Sequence, residues 1–349
     1  MTMEEMARII GISRITLSKV INGREGVSPE TRERVKEYIE KYNFEPNNHA
    51  RSLVGKKEPI IGFFTTYSEE GTNTHVTSHL ATELVNLIVN AAQKRGYKTL
   101  VSITGKEDDF SEVEKYMNSG LIMGAVLFGY ATGSGDLECL SKVGIPLVLI
   151  NQEEETDLPN ISLVNMDDET WGYQAIERLV QANHRRLLYI NCSRRRLPIQ
   201  RRTHGVRRAL SDYKGQILSF EEFNGEYSED LSYVLTHKRY EKKGEPWPTG
   251  IFAGNDQMAI GAINALKDLG IQVPGDVSVI GFDDIAISRY ITPALTTVRS
   301  DFRDIAQRSV TILTDCIEGK SGQVHEELQL EFVMRESLGF HEDEQGGNI

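Results

Sequence analysis

Cysteine and long hydrophobic runs are scarce in this chain of 349 residues. The three cysteines, Cys139, Cys192 and Cys316, are far apart and form no CxxC or metal-ligand spacing. This excludes a disulfide framework and indicates thiols in a reducing compartment. No stretch approaches the roughly 18 apolar residues of a membrane helix, and the first residues lack a basic and apolar leader. We therefore predict a cytoplasmic protein with no membrane partner.

Positive charge is also in short supply, but it is unevenly distributed. The net charge is −12, yet residues 1–57 hold 11 Lys and Arg against 8 Asp and Glu. A mildly basic N-terminal unit on an acidic body is compatible with a DNA-binding module joined to an effector domain.

Catalytic patterns are missing as well. No GxSxG, HExxH or Cys/His pattern surrounds His75, His79, His184 or His204,. The glycine-rich segment 129–136 is neither a P-loop nor a GxGxxG motif, and we interpret it as a surface loop,. The sequence therefore predicts no catalytic residue, no metal and no cofactor.

Helix-capping patterns dominate the first 45 residues. Thr2 and Glu5 form a capping box, and Gly11 can end the helix that follows them. Ser13 and Ser28 are in position to cap two further helices, the last of which extends to about residue 43,. The apolar positions of the second helix are predicted to be Ile15, Val20, Ile21 and, more weakly, Leu17. Short helices separated by a tight glycine turn are typical of a helix-turn-helix.

Strand-like and helix-like segments alternate after residue 59. Strands are predicted at PIIGFF, KTLVSI, GAVLFG, IPLVLIN, ISLVNM, RLLYINC, GIFAG and VSVIGFDD, and helices near 77–95, 111–119, 168–183, 199–213, 228–239 and 256–269. This alternation is typical of parallel, doubly wound sheets, and a body of roughly 280 residues favours two lobes.

The segment MARIIGISRITLSKVING, followed in order by VSPETRERV and by F.PN..AR.L, resembles the headpiece of the LacI/GalR family of bacterial transcription regulators. HRRLLYI at 184–190, the run from IFAGNDQ to IGFDD at 251–284 and PALTTVR at 293–299 extend the resemblance over residues 2–338. It implies a small all-α helix-turn-helix headpiece at 1–45, a hinge helix at 46–57 and an α/β, two-lobed, periplasmic-binding-protein-like body at 58–338. The N-lobe is expected at about 58–155 and 291–318, the C-lobe at about 158–288 and 322–338, and a flexible tail at 339–349,.

The resemblance implies which side chains contact DNA. The base-reading positions fall on Arg14 and Lys19, which can donate to guanine, and on Ile15, which can contact a thymine methyl group. Ile15 could instead pack against the headpiece core. Phosphate contacts are implied for Thr16, Ser18, Asn22 and Ser28.

The hinge segment is too short to be a stable helix in water, so we expect it to fold on DNA. The resemblance implies that Leu53 inserts between base steps in the minor groove. Asn47 would cap the hinge helix, and Arg51 would contact a phosphate. Leu53 could instead merely pack on its dimer mate.

A small ligand is expected between the lobes, at the carboxyl ends of the strands. The matching positions are Arg202, Asn255 and Asp283, with Arg196, Asn151 and Trp171 as further candidates. Three structural alternatives remain open. Arg202 could form a surface salt bridge, Asp283 and Asp284 could cap the next helix, and Trp171 could be a buried aromatic at a helix start.

Three departures from the family pattern affect this ligand site. Asn151 stands where an aspartate is common, and MDD at 166–168 replaces the more usual VDN. The segment TTYSEEGTNTHVTSHL after the first strand is also unusual. The ligand therefore cannot be copied from a familiar sugar regulator.

Arginine is concentrated between residues 185 and 208, where nine arginines occur without a single Asp or Glu. They could form a solvated positive patch. Alternatively, Arg194, Arg196 and Arg202 could recognise an anionic effector such as a sugar acid or a sugar phosphate.

The leading hypothesis is a homodimeric transcriptional repressor. It would bind a pseudo-palindromic, double-stranded DNA operator and respond to a carbohydrate or a carbohydrate derivative. Two rivals come from other classes: a sugar-binding receptor without DNA function, and an enzyme on a doubly wound fold.

Overall fold

The computed structural model describes residues 3–21, 26–42, 59–66, 79–104, 108–131, 134–152, 155–192, 196–242 and 244–342. The chain divides into two compact units, Met1–Pro59 and Ile60–Ile349. These units correspond to the headpiece with its hinge segment and to the body.

Three helices build the headpiece: α1 (Met3–Ile10), α2 (Arg14–Ile21) and α3 (Pro29–Lys41). Gly11 follows α1 with a φ of +74°, a conformation that glycine adopts at little cost,. Ser13 Oγ accepts a hydrogen bond from the Thr16 amide at 3.0 Å, and Ser28 Oγ accepts one from the Thr31 amide at 3.3 Å. Both serines are therefore the helix caps that the sequence predicts.

A small apolar core joins the three helices, formed by Met6, Ala7, Ile10, Leu17 and Val35. Leu17 is fully buried, whereas Ile15 is 71% exposed. The predicted ranking of the apolar positions in α2 is therefore wrong. Each helical residue is rotated by about 100° from the last, so two residues two positions apart face nearly opposite sides.

The body alternates strands with helices. Its strands are β1 (Ile60–Thr66), β2 (Lys98–Thr104), β3 (Ala125–Phe128), β4 (Leu147–Ile150), β5 (Ile161–Met166), β6 (Arg186–Asn191), β7 (Ser219–Asn224), β8 (Gly250–Ala253), β9 (Ser278–Asp283), β10 (Thr296–Arg299), β11 (His325–Leu328) and β12 (Glu331–Val333). Its α-helices are α4 (His79–Lys94), α5 (Ser111–Asn118), α6 (Ser134–Ser141), α7 (Asp168–Gln181), α8 (Leu197–Asp212), α9 (Glu229–Tyr240), α10 (Asp256–Asp268) and α11 (Phe302–Ile317), and a 3-10 turn spans Ala286–Arg289.

The strands form two sheets, one in each lobe. The N-lobe sheet has the order β11-β5-β4-β3-β1-β2, and all of its pairs are parallel. The C-lobe sheet has the order β12-β10-β9-β8-β6-β7, in which only β12 runs antiparallel to its neighbour. Two doubly wound, mainly parallel sheets are the architecture that the sequence predicts.

Apolar side chains cover both faces of each sheet, as parallel sheets require. In β1, Phe63 joins one buried cluster and Phe64 another. In β6, Tyr189 and Ile190 likewise point into two different clusters. Alternate residues of a strand point to opposite faces, so continuous apolar runs such as IIGFF are buried on both sides.

The predicted lobe boundaries need correction. The C-lobe does not begin near residue 158, because β5 lies in the N-lobe sheet. The segment 291–318 is divided, since β10 pairs with β9 in the C-lobe while α11 packs on α4 in the N-lobe. The segment 322–338 is divided too, because β11 pairs with β5 in the N-lobe. Sheet membership depends on long-range backbone pairing, which a local pattern does not encode.

Several elements were not predicted from the sequence: β7, β10, β11, β12, α6 and α11. The pattern of β7 is masked by its polar composition, SFEEFN, at the edge of the sheet. The surface-loop interpretation of 129–136 is wrong at its end, because α6 begins at Ser134.

Candidate DNA-contact surface and ligand cleft

Exposed side chains of two kinds occur together on α2. Arg14 and Lys19 are exposed, and Ile15 between them is 71% exposed. The alternative in which Ile15 packs in the headpiece core is therefore wrong. A large apolar side chain exposed beside two cations suits a helix that enters the major groove.

Two of the candidate phosphate-binding hydroxyls, those of Thr16 and Ser28, lie at helix starts. Thr16 Oγ1 is 2.8 Å from Ser13 Oγ, and Ser28 Oγ is 2.8 Å from Thr31 Oγ1. Ser18 is half-buried on α2. Asn22, Asn47, Arg51 and Leu53 lie outside the described residues.

In the body, Arg202 of α8 is the centre of the cleft-side polar network. It is only 5% exposed, and its Nη2 donates to Asp168 Oδ1 at 2.5 Å. Its Nη1 donates to the Gly254 carbonyl oxygen, and its guanidinium carbon lies 3.3 Å from the centroid of the Phe282 ring. Arg202 thus joins the ends of β5, β8 and β9.

Two glycines place Arg202 beside Asp168. A Cβ atom on Gly172 of α7 would overlap the backbone carbonyl of Arg202, and one on Gly205 of α8 would overlap the backbone carbonyl of Glu169. Only glycine lets the helix backbones approach this closely. The close crossing of α7 and α8 therefore fixes the buried ion pair.

Asn151 at the end of β4 forms a hydrogen bond with the carboxylate of this ion pair. Its Nδ2 donates to Asp168 Oδ2 at 2.6 Å, and its Oδ1 accepts from the Met166 amide at 3.1 Å. Asn151 has a φ of +53°, in the left-handed region that asparagine tolerates better than most residues,. The sequence predicts Asn151 as a ligand contact, but the structure gives both ends of its amide a protein partner.

The alternatives for Arg202 and for the Asp283–Asp284 pair are both wrong. Arg202 forms a salt bridge, but a buried one, with Asp168 only 1% exposed. The 3-10 turn after β9 has Ile285 as its cap residue, with no side-chain hydrogen bond from either aspartate. Asp284 instead forms salt bridges with Arg299 at 2.8 Å and with Arg335 at 2.5 Å.

Asp283 differs from its neighbour. It is partly buried and has a φ of +114°; its backbone carbonyl accepts a hydrogen bond from the Ser300 amide at 3.4 Å, but its carboxyl group makes none with the described residues. Burial raises the pKa of its carboxyl group well above the ordinary value; the charge of Arg202 opposes this effect, while Asp256 and Asp168 add to it,. The carboxyl group of Asp283 thus lacks a side-chain hydrogen-bond partner among the described residues, and it interacts electrostatically with a guanidinium that Asp168 already neutralises.

Asn255 has a structural task as well. Its Oδ1 caps α10 by accepting a hydrogen bond from the Met258 amide at 2.8 Å. The residue is 6% exposed at the end of β8, directly after the Gly254 carbonyl that Arg202 contacts. The structure thus brings Asn255, Arg202 and Asp283 to neighbouring strand ends, as the sequence predicts.

Arg196 spans the cleft between the lobes. From the start of α8 its Nη2 donates to Thr66 Oγ1, at the end of β1, at 3.1 Å. Thr66 Oγ1 in turn donates to the Gly129 carbonyl at 2.7 Å. The guanidinium of Arg196 lies 5.5 Å from the centroid of the Tyr227 ring. Arg196 therefore links the C-lobe to two strand ends of the N-lobe.

Trp171 lies on α7 and packs against the large apolar cluster of the body. Its indole Nε1 is buried without a hydrogen-bond partner among the described residues. These contacts agree with the buried-aromatic alternative, and a stacking role toward a ligand stays a prediction.

The arginine-rich segment separates into groups with different partners. Arg201 pairs with Glu327 at 2.5 Å, and Arg208 pairs with Glu169 at 2.7 Å, so both neutralise carboxylates of the body surface. Arg202 is buried, and both of its terminal nitrogens are occupied. Arg194 lies outside the described residues. The structure therefore does not support an anion-binding site that Arg202 shares with the other arginines.

Three residues of the cleft were not predicted: Asp168, Thr66 and Tyr227. Asp168 had a signal, because MDD departs from the family pattern at 166–168. Thr66 could have been found as a polar residue at the end of a buried strand. Tyr227 has no comparable signal in the sequence.

Across the parts of the chain that the structure describes, no helix has both the length and the apolar character to cross a membrane. Within the same ranges, no cluster of His, Cys, Asp and Glu has the composition of a metal site.

Comparison with known proteins is consistent with this architecture. A profile described as "Bacterial regulatory proteins, lacI family" matches residues 2–47, and one described as "Periplasmic binding protein-like domain" matches residues 176–338. Catabolite control protein A of Priestia megaterium is 29% identical over 90% of this chain and 91% of its own length. The probable HTH-type transcriptional repressor ExuR of Bacillus subtilis is 28% identical over 97% of this chain and 98% of its own length.

Among solved structures, the Lac repressor dimer bound to operator and the anti-inducer ONPF superimposes with a TM-score of 0.82. It is 25% identical in sequence, and the match covers 97% of this chain and 99% of that one. A helix-turn-helix headpiece joined to a two-lobed, periplasmic-binding-protein-like body defines a DNA-binding transcription regulator. The chain carries a LacI-family helix-turn-helix domain joined to a periplasmic-binding-protein-like domain.

Proposed function

We propose that this chain represses transcription as a cytoplasmic homodimer on a pseudo-palindromic operator, under the control of a small ligand bound between its lobes. The observation that carries the proposal is the surface of α2, where Ile15 is exposed between Arg14 and Lys19. Arg14 and Lys19 would donate to guanine O6 and N7, and Ile15 would contact a thymine methyl group.

Phosphate contacts would set the register of the headpiece on the duplex. We assign them to Thr16, Ser18, Asn22 and Ser28. In the hinge segment, Asn47 would cap the helix, Arg51 would bind a phosphate and Leu53 would insert into the minor groove. Two-fold symmetry of the protein would match two-fold symmetry of the operator.

An apolar surface of the N-lobe supports the homodimer. Val101 and Ile103 are 37% and 42% exposed on the edge strand β2. Val101 of β2 pairs in register with Phe63 of β1, so the side chains of Val101 and Phe63 point to the same face of the sheet. This is the face on which α4 packs. Val89 of α4 is also 37% exposed. A second copy of the chain that packs against Val89, Val101 and Ile103 would remove these side chains from water.

The ligand would bind at the strand ends that Arg196, Asn255, Arg202 and Asp283 approach. Arg196 already bridges the two lobes, so a ligand that displaces or strengthens this contact changes how the lobes close. A coupling free energy of about 1–3 kcal/mol between ligand and operator is typical of such systems. We infer a carbohydrate or a carbohydrate derivative, because hydroxyl groups can pair with both carboxylate and guanidinium groups.

Operator binding can be tested by fluorescence anisotropy with a centrally symmetric duplex and a scrambled duplex. Lys19→Ala should weaken binding to the symmetric duplex by roughly 1–3 kcal/mol, because it removes a base contact. Lys36→Ala is the matched control, since Lys36 is a 68% exposed lysine of α3 that pairs with Glu33. Equal losses for the two variants would contradict base reading by α2.

The rival functions make different predictions in the same experiment. A sugar-binding receptor without DNA function, or an enzyme on this fold, would show no preference for the symmetric duplex. For the wild-type protein, we expect a preference that weakens steeply with salt, as phosphate contacts require.

A further inference from the structure

Two carboxyl groups share one guanidinium at the base of the cleft. Asp168 and Asp283 surround a single guanidinium, that of Arg202, and all three influence one another electrostatically. Asp168 is 1% exposed and Arg202 is 5% exposed, so water screens their interaction little,. This acidic cluster, Asp168–Arg202–Asp283, carries one more negative than positive charge when both carboxyl groups are ionised.

The hydrogen-bonding capacity of Arg202 is nearly used up. Nη1 donates to the Gly254 carbonyl and Nη2 donates to Asp168 Oδ1. Only Nε is buried without a partner among the described residues. Arginine recognises a carboxylate or a phosphate strongly when two parallel N–H groups face the two oxygens. Arg202 cannot offer such a pair while Asp168 holds Nη2.

Asp283, in contrast, has unused hydrogen-bonding capacity. Its carboxyl group has no hydrogen-bond partner among the described residues, whereas the carboxylate of Asp168 already accepts from Arg202 Nη2. A ligand group that donates hydrogen bonds would satisfy Asp283. A second anion would find no free pair of terminal N–H groups on Arg202,.

We propose that Asp168 sets the charge of the effector: by occupying Arg202, it makes the cleft select an uncharged, hydroxyl-bearing ligand over the corresponding acid. The selection operates at the ligand site of the proposed function and therefore rests on it. Asp168 acts through Arg202 and Asp283, so it is a positioning residue and need not touch the ligand.

The chain offers a variant that moves the carboxylate without changing composition. Asn151 and Asp168 are hydrogen-bonded to each other at 2.6 Å. The double exchange Asn151→Asp with Asp168→Asn keeps an amide–carboxylate hydrogen bond and the net charge. Position 151 tolerates the exchange, since aspartate also adopts a positive φ more readily than most residues. Arg202 Nη2 would then face a neutral amide oxygen.

The experiment measures binding by isothermal titration calorimetry with matched pairs of probes: D-glucose with D-glucuronate, and D-galactose with D-galacturonate. For the wild-type full-length protein, we expect the neutral member of a pair to bind at least about tenfold more tightly than its acid. In the double-exchange variant, we expect this ratio to fall to about threefold or to invert. Circular dichroism and thermal melting establish that the variant is folded.

Asp167→Asn is the matched control. Asp167 is the neighbouring carboxylate, which caps α7 through Thr170 and lies 3.9 Å from Arg201 rather than Arg202. Asparagine can cap the same helix, and the substitution removes one negative charge from the same region. We expect it to leave the neutral-to-acid ratio unchanged.

The outcomes separate this inference from the proposed function. Tighter binding of the acids by the wild-type protein overturns the role of Asp168 even if the double-exchange variant does not fold. An unchanged ratio in a folded double-exchange variant, or an equal change in Asp167→Asn, overturns it as well. Failure of every probe to bind the wild-type protein overturns the carbohydrate effector of the proposed function, and the inference with it.

Discussion

Apolar side chains are usually buried and charged ones exposed, and the headpiece and the body depart from this rule in opposite ways. In the headpiece, the apolar Ile15 is 71% exposed, although Leu17 two positions later is fully buried. In the body, the charged Asp168 and Arg202 are almost fully buried. Each departure costs stability locally, and each lies where a partner is expected: DNA for the headpiece and a ligand for the body.

The difference follows from how each unit recognises its partner. The headpiece has a small core and approaches a large external surface, so its recognition side chains must project outward,. In the proposed function the body surrounds a small ligand, so its polar groups must be held inside before the ligand arrives. One unit therefore exposes an apolar group and the other buries charges.

The largest expected effect is the loss of the buried charge pair. Asp168→Ala leaves Arg202 buried without its counter-ion, and we expect a loss of about 3–5 kcal/mol in the free energy of unfolding of the body. Urea unfolding measures this loss. The control is Asp304→Ala, which breaks the exposed pair with Arg308 at 2.9 Å and should cost no more than about 1 kcal/mol,. Similar losses for both variants would show that burial does not distinguish the pairs.

A smaller loss of stability is expected at acidic pH, and we expect it only in the body. Burial lowers the pKa of His184 to about 4, with its ring 5.3 Å from that of His341. The unfolded chain takes up a proton below about pH 6.5 that the folded protein resists, so stability falls as the pH decreases. Between pH 7 and pH 5 this histidine should cost about 2 kcal/mol.

The headpiece, residues 1–45, contains no histidine. We therefore expect His184→Gln to flatten the pH dependence of body unfolding between pH 7 and pH 5. The control, His204→Gln, changes a histidine whose side chain is 68% exposed and should keep the wild-type slope. Equal slopes in wild type and His184→Gln would assign the acid sensitivity to other groups.

The smallest effect on stability is expected at Ile15. Ile15→Ala should change the unfolding free energy by less than about 0.5 kcal/mol, because the side chain is exposed. Operator affinity should nevertheless fall by about 1 kcal/mol through loss of an apolar base contact. Anisotropy with symmetric and scrambled duplexes measures the affinity.

Leu17→Ala, at the buried position, should instead cost the headpiece about 2–5 kcal/mol, detectable by hydrogen exchange over residues 3–41,. If the two substitutions had the same profile, the division of α2 into two faces would be wrong.

Local chemistry determined much of this protein from the sequence by itself. Ser13 and Ser28 cap the helices that they were predicted to cap, because capping depends on neighbours within four residues,. The buried parallel strands, such as β1 and β9, were found because both of their faces are apolar. Arg202, Asn255 and Asp283 were placed at strand ends, and the structure brings those ends together.

Only the tertiary structure decided which sheet each strand joins and which partner each charge has. β5, β10 and β11 were placed in the wrong lobe, because pairing over long sequence distances leaves no local periodicity. Arg202 was predicted as a ligand contact, but the close crossing of α7 and α8 at Gly172 and Gly205 brings Asp168 into a hydrogen bond with it. The residue types are written in the sequence, whereas the distance between two charges depends on the packing of the elements that carry them.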